Sequence, residues 1–160
     1  MKNNAQSGFS LIELLIVVAI IGIIAAMAIP NLLATRRAAN EGSAQSSLRT
    51  VHSAQVTYQA TAGNGAYAGN LTTLRGETLI DSVLGGGTKS GYDFEIVEQS
   101  GSNADAVYGV YAFPSVTTGV SQTGTRTFGT TEDGVMHGEP DITAKPTTRA
   151  EIRALPYLGN

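Results

Sequence analysis

The chain has 160 residues, 42% of them hydrophobic and only 14% charged against a usual share of about 25%. That length suits one domain, and 19 glycines in a Thr/Ser-rich body point to turns and strands rather than a disordered tail. The absence of cysteine excludes a disulfide framework and Cys-ligated zinc, and 10 basic against 13 acidic side chains offer no bulk attraction to nucleic acid or an anionic surface.

The first element is an apolar run at residues 11–29, LIELLIVVAIIGIIAAMAI, broken only by Glu13. As a helix it extends about 28 Å, close to the roughly 30 Å of a bilayer's hydrocarbon core. Three readings are open. A secretory signal peptide would use Lys2 and cut at Ala26-Met27-Ala28, but the run exceeds the usual h-region of about 7–15 residues and contains a Glu. A plain membrane anchor must carry Glu13 at about 2.5–3.5 kcal/mol if that residue sits centrally. The third reading gives the carboxylate a function, the default expectation for an ionisable group in such a segment.

Gly8-Phe9-Ser10-Leu11-Ile12-Glu13-Leu14-Leu15 follows a short polar leader containing Lys2 and precedes an apolar stretch ending at Pro30. This order of residues resembles the type IV prepilin signature. The resemblance implies cleavage by prepilin peptidase between Gly8 and Phe9, N-methylation of Phe9, and a need for Glu13 in filament assembly, where it would pair with the Phe9 amine of a neighbouring subunit. A charge left unpaired in an apolar bundle costs about 3–5 kcal/mol, which would enforce register. It also implies an N-terminus held in the cytoplasm, an inner-membrane assembly platform, and delivery to a surface pilus. The alternatives are a type II secretion pseudopilin in the periplasm or a minor pilin. Arg36 and Arg37 beyond the run, against Lys2 before it, favour the opposite orientation by charge count alone.

Gly22 and Pro30 weaken this helix, by about 1 and 3 kcal/mol. The segment between them is expected to bend or to melt, and the resemblance implies loss of helicity there in an assembled filament. The resulting organisation is a leader at 1–8, a membrane-spanning and filament-core helix at 9–30, and a soluble domain at 31–160.

In that domain Ala44, Leu48, Val51, Tyr58 and Ala62 keep one helical face, with Gln55 as the polar exception, so an amphipathic helix is predicted to about residue 62, ending at Gly63-Asn64-Gly65. Residues 63–90 read as a loop with one helical piece at Leu79–Leu84. A sheet of about four antiparallel strands is predicted over 91–138: around Tyr92, Phe94 and Ile96; at Ala106–Phe113; at Thr125–Thr130; and at Val135–His137 after the Asp133-Gly134 turn. The stretch 139–160 reads as an extended tail in which Thr147–Leu155 could make a helical turn or two. The fold class is therefore α+β, a long kinked N-terminal helix packed on an antiparallel sheet.

Several apparent sites lose their mechanism in context. Gly85-Gly86-Gly87-Thr88-Lys89-Ser90 lacks the Gly that precedes the Lys of a phosphate loop and leads into a strand. Gly63-x-Gly65-x-x-Ala68 follows a helix, not a strand. His52 and His137 lie far apart and read as surface or core-edge residues. No cofactor is predicted. Glu132, Asp133, Glu139 and Asp141 could bind calcium through oxygens without matching an EF-hand, and Asn70-Leu71-Thr72 fits a glycosylation sequon. A membrane-tethered binding or enzymatic domain would need a constellation that this sequence lacks, and no catalytic residue is expected.

Overall fold

The computed structural model describes residues 9–140 and 144–158. Gly8, the leader, Asp141 and the last two residues lie outside that range. The chain divides into two compact units, Met1–Thr35 and Arg36–Asn160. Helix α1 (Leu11–Ala60) belongs to both.

In the first unit α1 is long and apolar enough to cross a membrane, and none of its apolar window is buried within the chain. Phe9, Leu11, Met27 and Leu32 are each more than 65% exposed. Helix is assigned without a break through Gly22 and Pro30, so the stretch expected to bend or melt is helical in the isolated chain. Just past the proline, Asn31 Nδ2 donates to Met27 O at 3.3 Å and Thr35 Oγ1 to Asn31 O at 2.9 Å. Polar side chains thus satisfy themselves against their own backbone, the economical arrangement where water is scarce.

In the second unit α1 buries Ala44, Ser47, Leu48, Val51, Ala54 and Gln55, a spacing of three and four that presents one stripe. The stripe packs on a five-stranded antiparallel sheet in the order β1-β2-β3-β4-β5: β1 Thr88–Lys89, β2 Tyr92–Ser100, β3 Val107–Pro114, β4 Thr127–Thr131 and β5 Met136–Glu139. Tyr92, Phe94 and Ile96 from β2, Tyr108, Val110 and Ala112 from β3, and Phe128 from β4 close the core against Leu48 and Val51. Alternate residues point to the other face, where Tyr111, Phe113 and Val97 pack with Ile152 of helix α4 (Arg149–Ala154).

Gln55 is fully buried yet satisfied: its Nε2 donates to Ala68 O at 2.9 Å and its Oε1 accepts from Ala68 N at 2.8 Å. One side chain does the work of a strand pair for a loop residue that has no other. The helix ends where expected, with Gly63 N donating to Tyr58 O at 2.7 Å. A Cβ on Gly63 would lie 2.1 Å from Ala66 O, so this turn accepts only glycine.

The sheet has one strand more than the expected four. Strand β1 lies inside the stretch read as loop, and Ser90 (φ 51°) and Gly91 (φ 73°) form the tight link that folds it onto β2, with Lys89 opposite Tyr92. The same stretch holds two short helices. Helix α2 (Leu71–Gly76) starts at Asn70, whose side chain accepts from Thr73 N at 2.8 Å. Helix α3 (Ser82–Gly85) starts at Asp81, which caps Val83 and Leu84. In the expected tail, α4 forms within Thr147–Leu155, and Tyr157 bridges to His137 on the edge of β5.

Candidate functional site

The groups expected to act lie at the start of α1. Phe9 is 81% exposed, and Ser10 immediately precedes the helix. Glu13 Oε2 accepts from Ser10 N at 3.0 Å, while Leu14 N donates to Ser10 O at 3.2 Å. A Ser followed three residues later by a Glu that reaches back to its amide is half of a capping box, and it places a negative charge in the positive first turn of the helix. The Ser10-x-x-Glu13 spacing is a helix-start signal absent from the sequence-based expectations. Its structural effect is to fold the carboxylate back toward the N-terminus, beside the residue expected to carry the new amine. Among the described residues no ion pair is formed by Glu13 within the chain.

Gly22 and Pro30 sit further along the same helix, with nothing within 4 Å of a Cβ placed on Gly22.

The remaining candidates resolve into structure. Lys89 of the Gly85–Ser90 segment pairs with Asp81 at 2.9 Å and ties β1 to the cap of α3. His52 Nδ1 is 2.7 Å from Tyr108 Oη, and His137 Nδ1 is 2.8 Å from Leu155 O, so the two imidazoles serve different contacts. Burial pushes the Tyr108 phenol well above its ordinary range, and the neighbouring Tyr67, Glu132 and Asp133 add to it. Asn70, of the sequon, spends its Oδ1 on Thr73 as a helix cap.

Two of the four acids considered for calcium are engaged by arginine. Arg149 grips Glu132 through Nε at 2.7 Å and through Nη2, and Arg153 reaches Glu132 at 3.5 Å and Asp133 at 3.1 Å. Partial burial raises the Glu132 carboxyl, but the Arg149 hydrogen bond, the residue's own backbone and the two guanidinium charges outweigh it, leaving it below the ordinary range. For Asp133, burial is likewise outweighed, here by Val135 N–H, the Thr131 hydroxyl, Arg153 and His137. Among the described residues no three His, Asp or Glu side chains gather as a metal-binding group, and Asp141 lies outside them.

A cleft of about 280 Å³ is lined by Gly69–Thr72, Gly85–Gly87 and Phe94–Ile96, with no His or Cys among them. The feature that stands out is therefore the exposed apolar run at residues 11–29 of α1, in which Glu13 is the single carboxylate. It defines a class: the chain carries the prokaryotic N-terminal methylation motif, whose family pattern matches residues 3–29.

Within that class the likeness runs to pilins. The chain is 48% identical over 71 residues to the type IV wide pilus major component PilA4 of Thermus thermophilus, covering 44% of this chain and 52% of that one. It is 45% identical over 56 residues to the type IV major pilin protein PilA of Myxococcus xanthus (35% of this chain, 26% of that one). It is 34% identical over 59 residues to the type II secretion system core protein G of Aeromonas hydrophila (37% of this chain, 41% of that one). The chain spans about half or less of the length of these curated relatives. No solved structure matches it.

Proposed function

We propose that this chain is the structural subunit of a type IV pilus. It is held in the bacterial inner membrane by residues 9–30, cut by prepilin peptidase between Gly8 and Phe9, methylated on Phe9, and polymerised through its N-terminal helix by an inner-membrane assembly platform. The observation that carries this reading is the bare apolar helix of the first unit. An apolar surface of that extent has to be covered by lipid or by other helices, and an anchor needs only the lipid. Glu13 supplies the reason for helices: a carboxylate directed toward the N-terminus can take the Phe9 amine of a second copy. Two of the relatives named are type IV pilins. The likeness to a secretion core protein favours a pseudopilin as the second reading.

The separating experiment is Glu13→Leu in cells. Membrane insertion and cleavage after Gly8 should persist, because the substitution removes a polar cost and lies away from the cut bond. Assembly should fail, since each neighbour's amine then enters an apolar bundle unpaired at about 3–5 kcal/mol. Intact-mass analysis should find the processed subunit starting at methylated Phe9. Abundant filaments from processed Glu13→Leu subunits, or a start at Ile29, would refute the reading. Sheared surface fibres made of this chain support a pilus, and short periplasmic filaments the pseudopilin.

A further inference from the structure

The β3–β4 connection, residues 115–126, lies along the start of α1 in the second unit and is fixed there by hydrogen bonds. Arg37 Nη1 donates to Gln122 Oε1 at 2.8 Å and Asn40 Nδ2 to Thr123 O at 2.8 Å, while Thr125 N and Oγ1 both donate to Glu41 Oε1, at 2.8 and 2.7 Å. The loop also closes on itself: Thr123 N donates to Val116 O at 3.0 Å and Val116 N to Thr123 Oγ1 at 3.1 Å. From this braced loop Val120 projects 82% exposed, more than any other large apolar side chain described in the second unit. One exposed valine is ordinary on a protein surface. Its position beside the end of the apolar run makes it informative.

The charges around the loop are of one sign. From Ala106 to Thr131 the sequence has no Asp or Glu, and its charged side chain is Arg126. Arg36 and Arg126 are exposed, and neither forms an ion pair among the described residues. The acids bonded to the loop are already engaged, Glu41 by Thr125 and Asp93 by Ser115 Oγ at 2.7 Å and by Lys145 at 3.5 Å. A chain with a formal charge of −3 thus gathers arginine at this end. Leu32 and Leu33 carry apolar side chains to within three residues of Arg36, and Leu32 is 68% exposed. The step from Leu33 to Arg37 is four residues, which reach at most about 14 Å however the chain turns between them. Arg36, Arg37 and the loop bonded to Arg37 are therefore delivered to the headgroup layer of any bilayer that holds the run, where long cationic side chains at such helix ends settle.

We propose that the 116–126 loop, with Arg36 and Arg126 beside it, is a docking surface for the anionic phospholipid of the bilayer in which the chain is anchored. Val120 seats among the headgroups, where its apolar surface leaves water. Arg36 and Arg126 take lipid phosphates, which the planar guanidinium fork fits with two hydrogen bonds. Arg37 holds the loop in place through Gln122. The occupant follows from charge, since phosphate is what unpaired guanidinium groups select, and from continuity with the membrane-spanning run. The inference rests on the anchored state described above and needs no filament. It also gives Arg36 a partner at the membrane surface on whichever side it emerges, so the charge count around the run loses its force as a guide to orientation.

Since the chain has no tryptophan, a single one reports the contact. Thr118 is exposed in the loop, and Val135 is exposed in the β4–β5 turn, at the other end of β4. Full-length Thr118→Trp and Val135→Trp chains are placed in vesicles of phosphatidylcholine, with and without phosphatidylglycerol, containing lipids that carry bromine as a quencher. In the anionic vesicles Thr118→Trp emission should shift to the blue and be quenched, and that of Val135→Trp should not. Adding Arg36→Gln to Thr118→Trp should lower the docked-to-free ratio about fivefold, and 1 M salt, with a Debye length of about 3 Å, should lower it further. Adding Val120→Asp should abolish the quenching while leaving the circular dichroism unchanged, and because the reporter is the same in each case its own liking for interfaces cancels. Flotation of the chain with the vesicles reads anchoring separately. A chain that floats but whose Thr118→Trp is quenched no more than Val135→Trp overturns the docking and leaves the anchor. So does quenching that is equal in both lipids and indifferent to Arg36→Gln and Val120→Asp, the mark of a loop held nearby by its tether alone. A chain that does not float overturns the anchored reading and the docking with it.

Discussion

Replacing Gln55 by Leu tests how much the second unit depends on a single polar side chain in its core. Leucine has nearly the volume and the helix preference of glutamine, so packing along the buried stripe and the helix itself should be little disturbed. What disappears is the pair of hydrogen bonds to Ala68, at 2.8 and 2.9 Å, leaving a buried amide and carbonyl without partners. Each orphaned group costs about 1–3 kcal/mol, and the extra apolar burial of Leu returns part of it, so the net loss should be about 2–4 kcal/mol. For a domain of this size about 4 °C of Tm corresponds to 1 kcal/mol, and the transition should fall on the order of 10 °C. The assay is thermal unfolding followed by circular dichroism, with the full chain in detergent and Ser53→Ala, on the exposed side of α1, as control. A Gln55→Leu chain as stable as wild type would show that the loop at Ala68 finds other partners. The account of this residue as a surrogate strand would then be wrong.

Gly129→Val places branched carbon where Ile152 sits, 2.7 Å from the new Cβ, and should lift α4 at a cost of about 1–3 kcal/mol, read as faster amide exchange at Ile152 and Leu155. The depressed carboxyls of Glu132 and Asp133 stabilise the fold fully above the ordinary carboxylate values of about 4. That contribution is lost as pH falls through their lower folded values. Thermal unfolding from pH 7 to pH 3 should show the loss, and Glu132→Gln should flatten it. A fragment beginning at Ala34 should be a soluble monomer, because the exposed apolar run is gone, whereas the intact chain should need detergent or a filament. Sedimentation of the two side by side checks this, and a detergent-free intact monomer would contradict it.

The α+β layout was legible because its main elements announce themselves by period: an apolar run long enough for a bilayer, a three-and-four stripe on α1, and alternation through Tyr92, Phe94 and Ile96. What escaped was carried by small polar residues with more than one reading. Asn70-Leu71-Thr72 fits both a sequon and a helix cap, and the hydrogen bond from Thr73 N to Asn70 Oδ1 shows the cap. Ser90-Gly91 is a hairpin signal that hides among glycines, and it produced the fifth strand. Gln55 registered only as an exception to a pattern, since its partner lies at Ala68, across a turn whose path no local rule supplies. Glu132 and Asp133 read as calcium candidates because nothing in their own neighbourhood announces Arg149 and Arg153, which arrive with a helix formed later in the chain. At the N-terminus, the expectations for Gly8, Phe9 and Glu13 rest on the order of residues, whereas the Ser10 bond that orients the Glu13 carboxylate comes from the structure.

The socket under Ile152 ties three distant positions into one unit of sequence change. Gly109 and Gly129 have no side chain because Ile152 occupies that space, and Ile152 is fully buried because they leave it room. A methyl added at Gly109 alone meets Ile152 Cδ1 at 2.9 Å, and removing that Cδ1 alone leaves a hole, but the two together restore the volume. Gly109→Ala paired with Ile152→Val should therefore recover stability that either change forfeits singly, with a coupling of about 0.5–3 kcal/mol. Gly129→Ala meets Ile152 Cγ2, which valine keeps, and should not be rescued by it. Drift at this spot would have to proceed in matched steps along a narrow path, while the exposed residues around it are free to change one at a time.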